Sequence, residues 1–438
     1  MPTISNFKEN GYRTLILDSN QISDILSGSL PTGILEISMN NNPIATIDND
    51  TFNELSETLE TLFFSNANFT RIPDAFLRLN GLKLLCIQDT QIIDWNVEVL
   101  AHIGRTLQTL ILENVGLAAW PVWLKNLSSL IELNIVSSNL STMPDNAFDN
   151  LANTLLTLTL SDNDFTHVPK CLSILKHLIA LDLQDNKIYN ITWLPKSNRL
   201  SDLVLNNNNI FEAENVSNAL RGYENSLVSL TLSFNKLSEI PNLSYMTNIR
   251  SLDLSHNEIA DIYSDSLPSS IEELNLSHNL FMLIPTTYRN LTFLRHMYLS
   301  HNTIQEFQAS DIPSWITDVD LSSNLVTELS RGCFSNNSGL RVLNLDNNPI
   351  ATITKPAFKN LGSLVSLSLK NTKLTRLPLS LAYLTNIRHV DLSNNPHLVC
   401  TCQEDSLSDT ILSNIQLSGN CGSISIYNFY ATLDLTCP

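Results

Sequence analysis

The sequence predicts an α/β solenoid: a curved horseshoe of about 17 repeats with a parallel β-sheet on its concave face. Three observations carry this expectation. A block Leu-x-x-Leu-x-Leu-x-x-Asn-x-Leu recurs throughout; one copy is Leu178, Leu181, Leu183, Asn186, Ile188, another Leu340, Leu343, Leu345, Asn348, Ile350. Its second apolar position falls at Leu15, Ile37, Leu62, Leu85, Leu110, Leu133, Leu158, Leu181, Leu203, Leu230, Leu252, Leu274, Met297, Val319, Leu343, Leu367 and Val390, with spacings of 22 to 27 residues. Asn is abundant, about 50 in 438 residues, while Gly is scarce at 12.

Each part of the repeat has a physical reason. Leu-x-Leu is a period-2 strand with its apolar side chains inward. One such strand cannot bury that face alone, so neighbours stack in parallel and the unit must repeat. Parallel strands need long returns. These read Pro-x-x-x-x-x-Leu, as in Pro121 to Leu127, or Ala-Phe-x-x-Leu, as in Ala357, Phe358 and Leu361. Asn holds the ladder position in 12 of 17 repeats, where its amide satisfies backbone groups of its own and the adjacent repeat. The exceptions are Ala67, Thr90, Val115, Ser138 and Thr372; four are consecutive, so a weaker ladder is expected between residues 60 and 140. The longest repeat, Leu203 to Leu230, carries extra residues in Phe211 to Glu224, expected as a helical turn on the convex side or an edge.

The block resembles the leucine-rich repeat family over more than 85% of the chain. Three regions are expected: a partial convex half-repeat at 1–11, the solenoid at 12–398 and a cap at 399–438. The cap carries Cys400, Cys402, Cys421 and Cys437 after Asn394-Asn395-Pro396. This resembles the cysteine-rich C-terminal cap of extracellular members of that family. The resemblance implies Cys400–Cys421 and Cys402–Cys437 pairs, although four cysteines allow three connectivities. A zinc site fits poorly, because Cys-x-Cys lacks the usual gap and no second close pair exists. Of the other cysteines, Cys333 precedes Phe334 and reads as a small core residue, Cys171 lies in a convex segment, and Cys86 should face outward from its strand.

The start, MPTISNFKENGYRTL, has neither a basic n-region nor an apolar h-region, and no apolar run reaches 18 residues. The absence of an N-terminal cap suggests a fragment. Ten Asn-x-Ser/Thr sequons occur, at Asn49, Asn68, Asn126, Asn139, Asn190, Asn215, Asn242, Asn275, Asn290 and Asn336. With the cysteine cap they point to an extracellular or cell-surface glycoprotein.

The expected function is noncatalytic binding of a protein or peptide by the concave face. Outward strand residues there include Asp182, Asp202, Asp253, Glu273, His296, Tyr298, Asp318, Asp320 and Asp391, with a neighbouring row Ser233, Ser255, Ser277, Ser300 and Ser322. Lys plus Arg number 25 against 43 Asp plus Glu, a net charge of −18. Such acidity favours a basic partner and disfavours nucleic acid and anionic membrane. No cofactor is implied. His256, His278 and His301 fall in consecutive Ser-His-Asn runs and should stack about 5 Å apart, as scaffold, metal site or protonation switch. Asp253, Ser255 and His256 lie too close on one strand for a nucleophilic triad. An adhesive matrix protein and an intracellular scaffold stay open as alternatives to a receptor ectodomain or secreted recognition protein.

Overall fold

The computed structural model describes residues 13–260, 265–308, 311–334, 336–413 and 415–432. The chain comprises two units, residues 1–209 and 210–438. Each is a leucine-rich-repeat α/β solenoid. The expected half-repeat at 1–11 lies outside the described residues.

The first unit carries nine parallel strands: β1 (Thr14–Ile16), β2 (Glu36–Ser38), β3 (Thr61–Ser65), β4 (Leu84–Gln88), β5 (Thr109–Glu113), β6 (Glu132–Val136), β7 (Thr157–Thr159), β8 (Ala180–Asp182) and β9 (Asp202–Val204). Each pairs with the next in one register, Leu15 against Ile37 through to Leu181 against Leu203. The second unit repeats the arrangement with β10 (Ser229–Thr231), β11 (Ser251–Asp253), β12 (Glu273–Asn275), β13 (His296–Tyr298), β14 (Asp318–Asp320), β15 (Val342–Asn344), β16 (Ser366–Ser368), β17 (His389–Asp391) and β18 (Gln416–Ser418). All 17 expected inward positions are the second residues of strands, the centre where the strand has three residues. Between Ile37 and Val390 none is more than 3% exposed. Strand β18 is an addition that the repeat count did not include.

Among the described residues six of the returns contain a single 3₁₀ turn. Five start directly after proline: Asp74–Arg78, Val122–Asn126, Lys170–Ile174, Thr286–Asn290 and Leu379–Tyr383. Proline suits that place because its fixed φ leads into the turn and its missing N–H would be unpaired there anyway. The Ala-Phe-x-x-Leu return buries Ala357, Phe358 and Leu361. Its ring joins a series with Phe307 and Phe334, at centroid spacings of 5.4 and 6.3 Å. The long repeat forms helix α2 (Ala213–Ala219), as expected. Helix α1 (Val97–Ile103) was not anticipated; it buries Val99, Leu100 and Ile103, one face of a helix.

The Asn ladder is a repeated bond set. Asn348 is typical: its Nδ2 donates to Leu345 O (3.1 Å), Asp346 O (3.3 Å) and Leu321 O of the preceding repeat (2.8 Å), while Oδ1 accepts from Val326 N (3.0 Å). Where Asn is missing, Thr90 accepts from Ala67 N and donates to Gln88 O, and Ser138 donates to Val136 O. Here β3 to β6 run to five residues, against three in the strands flanking them. Backbone pairing thus extends where the amide ladder stops, because the carbonyls still need donors.

At the C-terminal end Cys400 is bonded to Cys421, with Cα atoms 5.5 Å apart. Cys402 is also disulfide-bonded; its expected partner, Cys437, lies outside the described residues. The region buries Leu407, Ile411, Ile426 and Tyr430, against repeat residues such as Leu381, Leu384 and Val390. Glu404, also buried, is held by Arg376 Nε (2.8 Å) and by Thr401 N and Oγ1.

Candidate binding face

The strand pattern separates core from face. In β11, β13 and β14 the centre is buried and the first and third residues turn outward, half-buried among neighbours; β12 follows the same alternation with Glu273 exposed. Register then builds two columns in the second unit. One runs Ser251, Glu273, His296, Asp318; the other Asp253, Asn275, Tyr298, Asp320. Six of the expected face residues therefore meet on four adjacent strands, β11 to β14. Asp182 and Asp202 lie on the adjacent strands β8 and β9 of the first unit, where Asp182 faces Val204 and Asp202 faces Ala180.

Their surroundings are not alike. Asp182, Asp253, Asp320 and Asp391 each accept the N–H two residues on, from Gln184, Ser255, Ser322 and Ser393, at 2.8 to 2.9 Å. These are Asx turns that end the strand, so those carboxylates have a structural task besides any surface one. Burial holds Asp182 above its ordinary value, against the Gln184 bond. Asp202 accepts from Ser201 Oγ. Asp318 Oδ2 meets His296 Nδ1 at 3.0 Å and Thr317 Oγ1 at 2.6 Å. Burial raises the Tyr298 hydroxyl, and the carboxylates of Glu273, Asp318 and Asp320 raise it further. It stays a neutral phenol among negative charges.

Two surface expectations are corrected. Ser233, Ser255, Ser277 and Ser322 are buried and only Ser300 is half-buried, so no serine row faces solvent. They sit where the chain turns in from the strand, and the carbonyls of Ser255, Ser277, Ser300 and Ser322 serve the ladder Asn. Cys86 is buried rather than exposed, at 4%. It does lie between outward neighbours, but the larger Phe63 and Ile111 flank it in register and cover the small thiol. Burial pushes the thiols of Cys86, Cys171 and Cys333 up to about 12.

The three histidines stack more tightly than expected. Centroids of His256 and His278 are 3.9 Å apart, and those of His278 and His301 4.0 Å, with planes within 13°. Strand spacing sets the backbone repeat, but the rings tilt until their faces touch. Phe234 extends the stack at 3.8 Å from His256. Ser233-Phe234-Asn235 occupies the Ser-His-Asn position, a signal the sequence reading passed over. Parallel rings aim their in-plane lone pairs side by side rather than at one centre. Among the described residues no group of three His, Cys, Asp or Glu is placed to hold a metal ion.

Seven sequon asparagines are exposed, and Asn126, Asn190 and Asn275 are half-buried. Asn275 lies on β12, within the face; its Oδ1 accepts from Ser277 N (3.1 Å). Elsewhere in the first unit, Trp95, Trp120 and Trp123 line an open cleft of about 490 Å³ with Ile92, Ile93 and Val122. The three tryptophans fall within 29 residues of the sequence, a spacing that does not by itself place them in one cleft. Among the described residues no helix is long and apolar enough to cross a membrane.

Comparison with known proteins agrees with this architecture. Residues 316–374 and 338–396 match the family described as Leucine rich repeat, and residues 225–269 match Leucine Rich repeats (2 copies). A stretch of 82 residues is 40% identical to Tsukushi of Gallus gallus, covering 18% of this chain and 22% of that protein. The match thus spans about a fifth of that relative's length. An LRR protein of Leptospira interrogans is 24% identical with a TM-score of 0.66, over 93% of this chain and 96% of that one. TLR13, solved in complex with ssRNA13, is 21% identical with a TM-score of 0.69, over 93% of this chain and 70% of that one. At these identities the two structures share a fold with this chain.

Proposed function

We propose that this chain is a noncatalytic recognition glycoprotein of the extracellular space or cell surface, a receptor ectodomain or secreted binder. It takes a basic protein or peptide on the outward face of β11 to β14. The observation that carries the reading is the placement of Asp253, Glu273, His296, Tyr298, Asp318 and Asp320 in register on four strands. The backbone beneath them is held by the ladder, so the face is preorganised and little ordering entropy is lost on binding. Asp182 and Asp202, on β8 and β9, add acidic positions to the outward face of the first unit. The cap disulfide and ten solvent-reachable sequons support an oxidising, secretory route. A sugar on Asn275 would stand on the face itself. The net charge of −18 works against RNA as ligand.

Glu273 and Asp318 test the reading best, because neither forms an Asx turn. A lysine-rich peptide serves as probe for the full chain. E273Q/D318N is expected to weaken its binding about tenfold, mostly through slower association, and to flatten the salt dependence. Unchanged affinity with unchanged circular dichroism would refute the assigned face. Mass spectrometry of protein from its native source tests the compartment: unpaired Cys400 and Cys421 with bare sequons would overturn it.

A further inference from the structure

We propose that the ring stack Phe234–His256–His278–His301 is an acid-sensitive latch, which ties together the turns after β10 to β13 while its rings are neutral and releases them when the imidazoles take up protons.

The stack departs from the rest of its column. One residue per repeat, just before the ladder position, adopts left-handed backbone, with φ from 46° to 57°. Elsewhere that column is polar and bonded side chain to side chain, as in Asn66 to Asn41 (2.7 Å) and Asn371 to Asn347 (2.9 Å). Four consecutive turns of the second unit replace those bonds by ring faces 3.8 to 4.0 Å apart. The same residues carry inter-repeat backbone bonds: His256 N to Ser277 O (2.9 Å), His278 N to Ser300 O (2.8 Å) and His301 N to Ser322 O (3.0 Å). Whatever separates the rings therefore pulls on the bonds between repeats.

Neutral rings attract through their faces; charged rings at this spacing repel. His256 and His278, stacked face to face, titrate as a coupled pair. Among the described residues, Asp253 on β11 is the charged group that favours a proton on His256; burial and His301 oppose it. Around His278 burial, His256 and His301 all oppose the proton. Both rings are held below the ordinary 6.5. The folded chain therefore binds fewer protons than the unfolded chain just below pH 6.5. The stack's contribution is complete above that pH and is lost as the pH falls through the folded midpoints.

The structure supplies its own control. Asn already holds this left-handed position at residues 41, 66, 114, 207, 347, 371 and 394, so H256N/H278N/H301N keeps the backbone and removes the titrating rings. Thermal unfolding of the full chain at pH 7.5 and pH 5.0 is the assay. The wild-type midpoint should fall further on acidification than that of the triple variant, by about 2 °C or more. Hydrogen exchange at the three amides, corrected for intrinsic rate, should accelerate at pH 5.0 in the wild type alone. Equal pH shifts in the two proteins would overturn the proposal. Should the triple variant fail to fold, NMR titration of the wild type decides: ring midpoints of His256 and His278 below 6.5 support the latch, and midpoints at or above 6.5 overturn it.

Discussion

Asn348→Ala tests the account of the ladder most directly. The side chain is 1% exposed and supports four backbone groups: Val326 N–H and the carbonyls of Leu321, Leu345 and Asp346. Alanine leaves the first three without this partner in a site that water does not reach. A buried polar group stranded in this way costs roughly 1–3 kcal/mol. Since two amide hydrogens are shared among three acceptors, the expected loss is about 3–5 kcal/mol. Asn348→Asp is nearly isosteric and keeps the acceptor for Val326, but turns an oxygen toward three carbonyls, so it should cost at least as much at pH 7. Urea unfolding followed by circular dichroism measures both. Repeats contact mainly their neighbours, so exchange at the Val326 amide should rise more than exchange in the first unit. A loss under about 1 kcal/mol for Asn348→Ala would refute the claim that the ladder amides satisfy otherwise orphaned groups.

Other outcomes follow from the cap and the cysteines. Replacing Cys400 and Cys421 together by Ser opens a loop of sequence separation 21, and should lower stability by about 3 kcal/mol, read as a lower urea midpoint. Gly419→Ala should destabilise the cap, because Gly419 has φ of 134° and an added Cβ would lie 2.9 Å from the backbone of Leu392; a thermal melt matching the wild type would contradict this. Cys86, Cys171 and Cys333, with thiols pushed up to about 12, stay protonated through pH 8. They should resist iodoacetamide in the native chain and react in denaturant, with mass spectrometry counting the adducts; rapid native labelling of Cys86 would restore it to the surface.

Much of the architecture was legible because the repeat writes the same physical requirement many times. A parallel strand that cannot bury its face alone needs an apolar residue at a set place, and a turn that strands carbonyls needs an amide at another. Seventeen inward strand positions and the Asn ladder were open to that reasoning; the helical turn was read from the extra residues of the long repeat, and the Cys400–Cys421 pair only from the resemblance of the cap. Face residues were less legible. Period 2 shows which side chains point outward, but not what else they bond. Asp253 and Asp320 look like plain surface charges until their Asx turns are seen. Serines that alternate with leucine look exposed, yet the chain has already turned inward beneath them.

The sequence by itself therefore determined the repeat, its register and the inward set, since those depend on local spacing and on burial demands identical in every copy. Only the tertiary structure decided what happens across strands. It set four rings face to face, closed Phe63 and Ile111 over Cys86, lengthened β3 to β6 where the amides stop, and gathered Glu273, His296, Tyr298 and Asp318 into one cluster. Those relations join residues 22 or more apart in the chain, and depend on side-chain size and tilt between neighbouring repeats, which no single repeat encodes.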